Sequence, residues 1–287
     1  MSLQNTSGQG SIVPAQCSTC GAPAEAKPAN AGRSYVYALG RIEARFPTPG
    51  IEREFRQVAG RSPTEGLTDH QLLQAVLAER QNRYLARQLC WVFTIERLDT
   101  YALAPRDSAD LDLLIDALRR APDPADVDVV IGILGPLAPP DMCNGLIVPI
   151  VAFDQIYSFD RETLIRALPR PDSMDEDRFT AAAGDLFDRI IQVADNSGAT
   201  DEHRALNYVA VRYPAVYART ADAFARNASL TAVDVRASRL SGVRKVVDVI
   251  FSYADRQTDV TEKYFVRVDV TEEFPFLVTK LSPYYER

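Results

Sequence analysis

The chain carries four cysteines and two histidines in 287 residues, and their spacing bounds the chemistry open to it. Cys17 and Cys20, followed by Gly21, form a Cys-x2-Cys knuckle, the usual half-site for tetrahedral Zn2+. Cys90 and Cys143 bring the thiols to the four that a closed structural site needs. Four thiolates leave no coordination position for water, so such a metal would hold structure and not hydrolyse a substrate. Two other readings stand beside this one. Cys90, within Leu89-Cys90-Trp91, reads equally as an ordinary buried thiol. The knuckle could be redox-active, or belong to a tail with no role.

His203 lies within Asp201-Glu202-His203-Arg204. General acid–base work often uses histidine, and this chain has few. The plainer reading is a helix start whose acidic residues complement the helix dipole. His70, at the start of another helix, reads as solvent-exposed. Asp107, Asp110 and Asp112 read as a capped helix with a solvated face. The chain contains no Gly-x-Ser-x-Gly, no Gly-x4-Gly-Lys-Ser/Thr and no Gly-x-Gly-x2-Gly. It thus lacks the signatures of nucleophile-elbow hydrolases, P-loops and dinucleotide sites.

The elements that must position these residues follow from apolar periodicity. Val127–Leu134 and Leu146–Phe153 are dense Val- and Ile-rich runs without a 3.6 period, as buried strands require. The Pro- and Gly-rich loop 135–145 between them carries Cys143. Ser34–Phe46 and Leu89–Ile95 read as strands, the latter turning at Glu96-Arg97-Leu98-Asp99 into Thr100–Leu103. Helices are predicted over Ile51–Ala59, from Thr68 with Gln71 completing a capping box, and over Asp107–Arg120. A central helical block follows: Glu162–Leu168 capped by Asp160, then Met174–Ala194, then Thr200–Phe224 broken at Pro214. Strands return at Thr231–Val235, Val243–Tyr253 and Lys263–Val270. In the last, Phe265, Arg267 and Asp269 share one face. Phe274–Tyr285 reads as a tail packed on the sheet, the alternative being the lining of a groove for an extended peptide. This order predicts an α+β fold, a mixed or antiparallel sheet with a central helical block and a C-terminal β-meander. Residues 1–33 are predicted to be a flexible tail carrying the knuckle, and 34–287 a single domain.

The composition, 46% hydrophobic and 25% charged with a net charge of −7 and a pI near 5.0, argues against nucleic-acid or anionic-membrane partners, which need a basic face. No run approaches the roughly 18 apolar residues of a membrane span. Met1-Ser2-Leu3-Gln4-Asn5 lacks the basic and apolar regions of a signal peptide. A cytoplasmic chain is therefore expected, with thiols reduced or metal-bound.

Five strings acquire a meaning together: YVYALGRIE at 35–43, NRYLARQLCW at 82–91, PPDMCNGL at 139–146, ATDEHRALNY at 199–208 and TDVTEKYFVRVDV at 258–270. They resemble the C-terminal domain of the cyanobactin maturation proteases PatA and PatG, over about residues 34–287 with the knuckle ahead of it. Those proteases cut and macrocyclise ribosomally made precursor peptides through a separate subtilisin-like domain, for which this sequence shows no motif. The resemblance implies a non-catalytic accessory module in the biosynthesis of such peptides. Its partners would be a precursor peptide or a maturation enzyme, and homo-oligomerisation is compatible with it. It also makes all four cysteines part of the family-like strings, which favours a structural Zn2+ on Cys17, Cys20, Cys90 and Cys143. The alternative is a peptide-modifying enzyme using His203 with Asp201 or Glu202.

Overall fold

The computed structural model describes residues 33–60, 66–119, 123, 125–170, 174–193, 195–258 and 260–285. The expectations placed on the N-terminal tail, with Cys17 and Cys20, lie outside the described residues.

The first sheet is built from β1 (Ser34–Arg45), β2 (Cys90–Ile95), β3 (Leu98–Pro105), β4 (Asp126–Leu137) and β5 (Pro149–Asp160). It closes into a barrel in the order β1-β2-β3-β5-β4. All its pairings are antiparallel except β3 with β5. Strands β2 and β3 are joined through Glu96 and Arg97, both at positive φ (50° and 68°). Positive φ at both central residues is the turn geometry whose twist matches the flanking strands. The second apolar run starts its strand at Pro149 and not at Leu146. The reason is local: Asn144 and Gly145 both take positive φ, and Ala138 N–H bonds to Val148 O at 2.8 Å, so the chain is still turning at Leu146.

Helices α1 (Pro49–Ala59), α2 (Asp69–Ala78), α3 (Arg83–Gln88) and α4 (Leu111–Ala117) cover part of the barrel. The capping box predicted at Thr68 and Gln71 forms as read. Helix α3 was not anticipated, because six residues are too few to show a period. Trp91 Nε1 donates to Ala86 O in it at 2.9 Å, which ties β2 to the helix. Phe93, Tyr101, Val130, Val151 and Phe153 of the strands share one core with Leu77, Leu85, Leu114 and Ile115 of the helices. Each such buried side chain contributes roughly 1.5–3 kcal/mol. An exposed ion pair contributes about 0–1 kcal/mol, so apolar burial and not surface charge holds this layer.

Strands alternate their faces, so Tyr37, Leu39, Val129 and Ile131 point into a second core. That core is completed by α5 (Arg161–Ala167), α6 (Glu176–Ile191), α7 (Asp201–Arg212) and α8 (Ala215–Ala225). Its far side is a four-stranded antiparallel meander of β6 (Ala228–Ala237), β7 (Val246–Asp255), β8 (Thr261–Asp269) and β9 (Phe276–Pro283). Pro214 separates α7 from α8 as predicted. The architecture is α+β with a C-terminal meander; the closure of the first sheet into a barrel is the feature the sequence reading did not contain.

Candidate functional site

Cys90 opens β2, and Cys143 sits in the loop between β4 and β5. The structure joins them as a disulfide with Cα atoms 5.3 Å apart. Both are buried in a small cluster with Val92, Ala102, Ala138 and Val148. The reading of these residues as two reduced zinc thiolates therefore differs from the state seen here, since a disulfide sulfur offers no thiolate. Their proximity has a topological cause. The β2–β3–β5–β4 neighbourhood brings the loop after β4 beside the start of β2, across 53 residues of sequence. Among the described residues, no group of three or more His, Cys, Asp and Glu side chains is arranged to hold a metal.

His203 stands in the first turn of α7, where Thr200 Oγ1 caps its own N–H at 3.1 Å. Its Nδ1 is buried without a hydrogen-bond partner, and burial draws the imidazole pKa below its ordinary value. Asp201 is engaged elsewhere: Lys245 Nζ lies at 3.0 Å and Arg204 Nη1 at 3.7 Å. The structure does not assemble the His203–Asp201 pair as a hydrogen-bonded dyad. Residues one and two apart on a helix do not face each other, whereas Asp201 and Arg204, three apart, do.

Arg204 proves to be the more consequential neighbour. It is 2% exposed. It donates to Val270 O at 2.6 Å, to Glu273 O at 3.2 Å and to Glu272 O, and its guanidinium stacks 5.2 Å from the centre of the Tyr35 ring. It thus ties α7 to the turn between β8 and β9. A second polar pin holds α7 on β1. Asn207, fully buried, donates to Tyr37 O at 2.8 Å and exchanges hydrogen bonds with Asn196 at 2.7 and 3.1 Å. Tyr37 N–H in turn reaches Gly198 O at 2.9 Å. Both pins lie in or beside the Ala199–Tyr208 string, which therefore carries structure.

Among the described residues, the concavities include three that gather charged side chains of both signs. A cleft of about 700 Å3 beside α6 is lined by Arg41, Glu43, Glu96, Arg97, Arg161 and Asp188, among others. Its charges are of both signs, and Arg161 pairs with Asp188 at 2.6 Å. A smaller one, about 180 Å3, holds His70, Asp126 and Asp128. His70 is half-buried, with Nε2 2.7 Å from Arg119 O, and is not the freely exposed side chain its position suggested. Asp128 accepts from Ile42 N–H at 2.7 Å and from Ser158 Oγ, and burial holds its carboxyl above the usual range. The third, about 450 Å3, lies on the outer face of the meander and is lined by Arg236, Arg239, Asp248, Phe265, Arg267 and Tyr284, with Pro283 beside them. The alternation in β8 already placed Phe265 and Arg267 on one face. The signal missed was that Arg236 pairs in register with Asp248, and Asp248 with Arg267, making one row across three strands. The C-terminal segment docks as edge strand β9, and its last residues wall this groove.

Fold and sites together define an α+β domain in which a closed five-stranded mixed barrel is joined through helices to a four-stranded meander with an arginine- and aromatic-lined outer face. Residues 173–284, from α6 through β9, match the family described as PatG C-terminal. A solved structure described as "PatG Domain of Unknown Function" shares the fold, with a TM-score of 0.71 and 20% identity over 88% of this chain and 98% of that one. No curated protein matches the sequence. These two likenesses support a PatG C-terminal-type domain, as the five strings imply.

Proposed function

We propose that the protein is a non-catalytic accessory domain in the biosynthesis of ribosomally made, post-translationally modified peptides of the cyanobactin type, and that it binds a precursor peptide or a maturation enzyme. The observation that carries this reading is the match of residues 173–284 to the PatG C-terminal family, supported by the fold shared with the PatG domain of unknown function. Calorimetric titration of the full chain with the precursor peptides and maturation enzymes encoded beside its gene tests it. Saturable heat with one of them is expected; no heat with any of them overturns the reading.

The same reading includes a structural Zn2+ on Cys17, Cys20, Cys90 and Cys143. In its favour, Cys90 and Cys143 come together from distant positions, as a shared metal demands. The ion would replace the disulfide under reducing conditions, because its ligands must be thiolates. Elemental analysis of protein purified in reductant should find one zinc per chain, lost on Cys17→Ser.

A further inference from the structure

We infer that the groove on the outer face of the meander binds an acidic peptide segment that carries an aromatic or aliphatic side chain next to its carboxylate. The inference rests on the binding-module reading for the identity of the partner, but the site stands on its own geometry.

Arg236, Asp248 and Arg267 form a row across β6, β7 and β8, and Arg239, just past the end of β6, lines the same groove. Arg267 Nε already holds Asp248 Oδ1 at 2.9 Å, so that carboxylate is spoken for. Arg236 and Arg239 are exposed, and among the described residues no carboxylate pairs with either. A chain of net charge −7 thus gathers three arginines around a single aspartate in one concavity. Such a local inversion of charge attracts an anion. The Arg236 guanidinium carbon lies 5.0 Å from the centre of the Tyr284 ring, and a guanidinium is the group that meets a carboxylate in fork geometry.

The walls specify the rest of the ligand. Phe265 and Tyr284 meet edge to face at 5.6 Å, and Pro283 completes an apolar rim. About 450 Å3 lies within the ordinary range for a small-ligand site and suits a few side chains of a peptide. A nucleic acid offers anions too, but a polyanion approaching a strongly acidic protein meets repulsion away from the groove. A short acidic segment does not extend that far.

The test is fluorescence anisotropy on the full chain with a labelled short peptide alternating Glu and Phe, its Gln-for-Glu counterpart, and a single-stranded oligonucleotide as competitor. The acidic peptide should bind and the Gln peptide should not. Binding should weaken steeply towards about 1 M salt, where the screening length is about 3 Å. The double variant Arg236→Gln, Arg239→Gln should bind about tenfold more weakly. Both side chains are exposed, so its urea midpoint should match wild type, and Arg53→Gln on α1 should leave binding unchanged. Equal binding of the Gln peptide, retained affinity in the double variant, or displacement by the oligonucleotide as effective as by peptide overturns the site. Precursor binding that persists in the double variant defeats the groove but leaves the accessory role intact. Binding of the acidic probe without binding of any precursor does the reverse.

Discussion

Removing the Arg204 side chain should be among the most damaging single changes to this protein. The guanidinium donates to three carbonyls around the β8–β9 turn, at Val270, Glu272 and Glu273. Hydrogen bonds to a charged group are worth about 1.5–3 kcal/mol each, so a simple sum would exceed the total stability of many domains. The sum overstates the loss for two reasons. Glu272 is exposed and Glu273 half-exposed, so their carbonyls can take water when the arginine is gone. Arg204 Nε is itself buried without a partner, a penalty that disappears with the side chain. Val270 is wholly buried, and its carbonyl stays unsatisfied. The expected loss for Arg204→Ala is therefore about 4 kcal/mol, within the range for breaking a buried charge contact. Arg204→Met keeps most of the stem packing and should lose about 2–3 kcal/mol. Arg204→Lys should fall between wild type and Met, because one ammonium cannot reproduce the planar fork. Urea unfolding followed by far-UV circular dichroism and by fluorescence of the lone Trp91 measures each loss. If Arg204→Met lies within about 0.5 kcal/mol of wild type, the size of an ordinary surface change, the pinning argument is wrong.

Three further outcomes are expected. Gly198 has φ 75°, and a Cβ there would lie 2.5 Å from Tyr37 O and 2.6 Å from Ala38 Cα. Gly198→Ala should thus lose about 3 kcal/mol or more in urea unfolding, while Gly145→Ala, at φ 90° with open space around it, loses only about 1 kcal/mol; equal losses would refute the steric account. The Asp128 carboxyl pKa is raised in the folded state, chiefly by burial. The native state then binds the proton more readily, so this group's stabilising contribution is full below the unfolded pKa and lost as pH rises through the raised value. Asp128→Asn should flatten that part of the pH–stability profile measured from urea midpoints, and an unchanged profile would count against it. The Cys90–Cys143 link spans 53 residues, which in the chain-entropy account contributes about 4 kcal/mol. Cys143→Ser should lower stability by up to that amount in non-reducing buffer and by far less when wild type is reduced and zinc-free.

Much of the fold was legible because its signals are local. The alternation of Lys263–Val270 appears as β8, the Thr68–Gln71 box caps α2, and Pro214 divides α7 from α8. Barrel closure was not legible, since the pairing of Ser34 with Leu134 is set by shape matching between remote segments and leaves no short-range mark. The cysteines show the same divide. Their number could be counted, but the pairing of Cys90 with Cys143 depends on strand order. The catalytic alternative at His203 finds no support for a geometric reason: adjacency in sequence to Asp201 and Glu202 is not adjacency in space on a helix. The buried role of Arg204 was hidden by the expectation that arginines are exposed. The groove arginines were hidden because β6, β7 and β8 must be aligned before their side chains form a row.

The register of β1 also bears on how the chain comes to be folded. Its first partner along the sequence begins at Cys90, and its second spans Asp128 to Leu134. During synthesis at roughly 5–20 residues per second, β1 would wait several seconds with Val36, Ala38 and Leu39 uncovered before either neighbour exists. The meander has no such delay, because each of its strands pairs with the next in sequence. Closing the barrel is therefore the slow, high-contact-order event, and the interval before it is when the unpaired β1 is most exposed to mispairing.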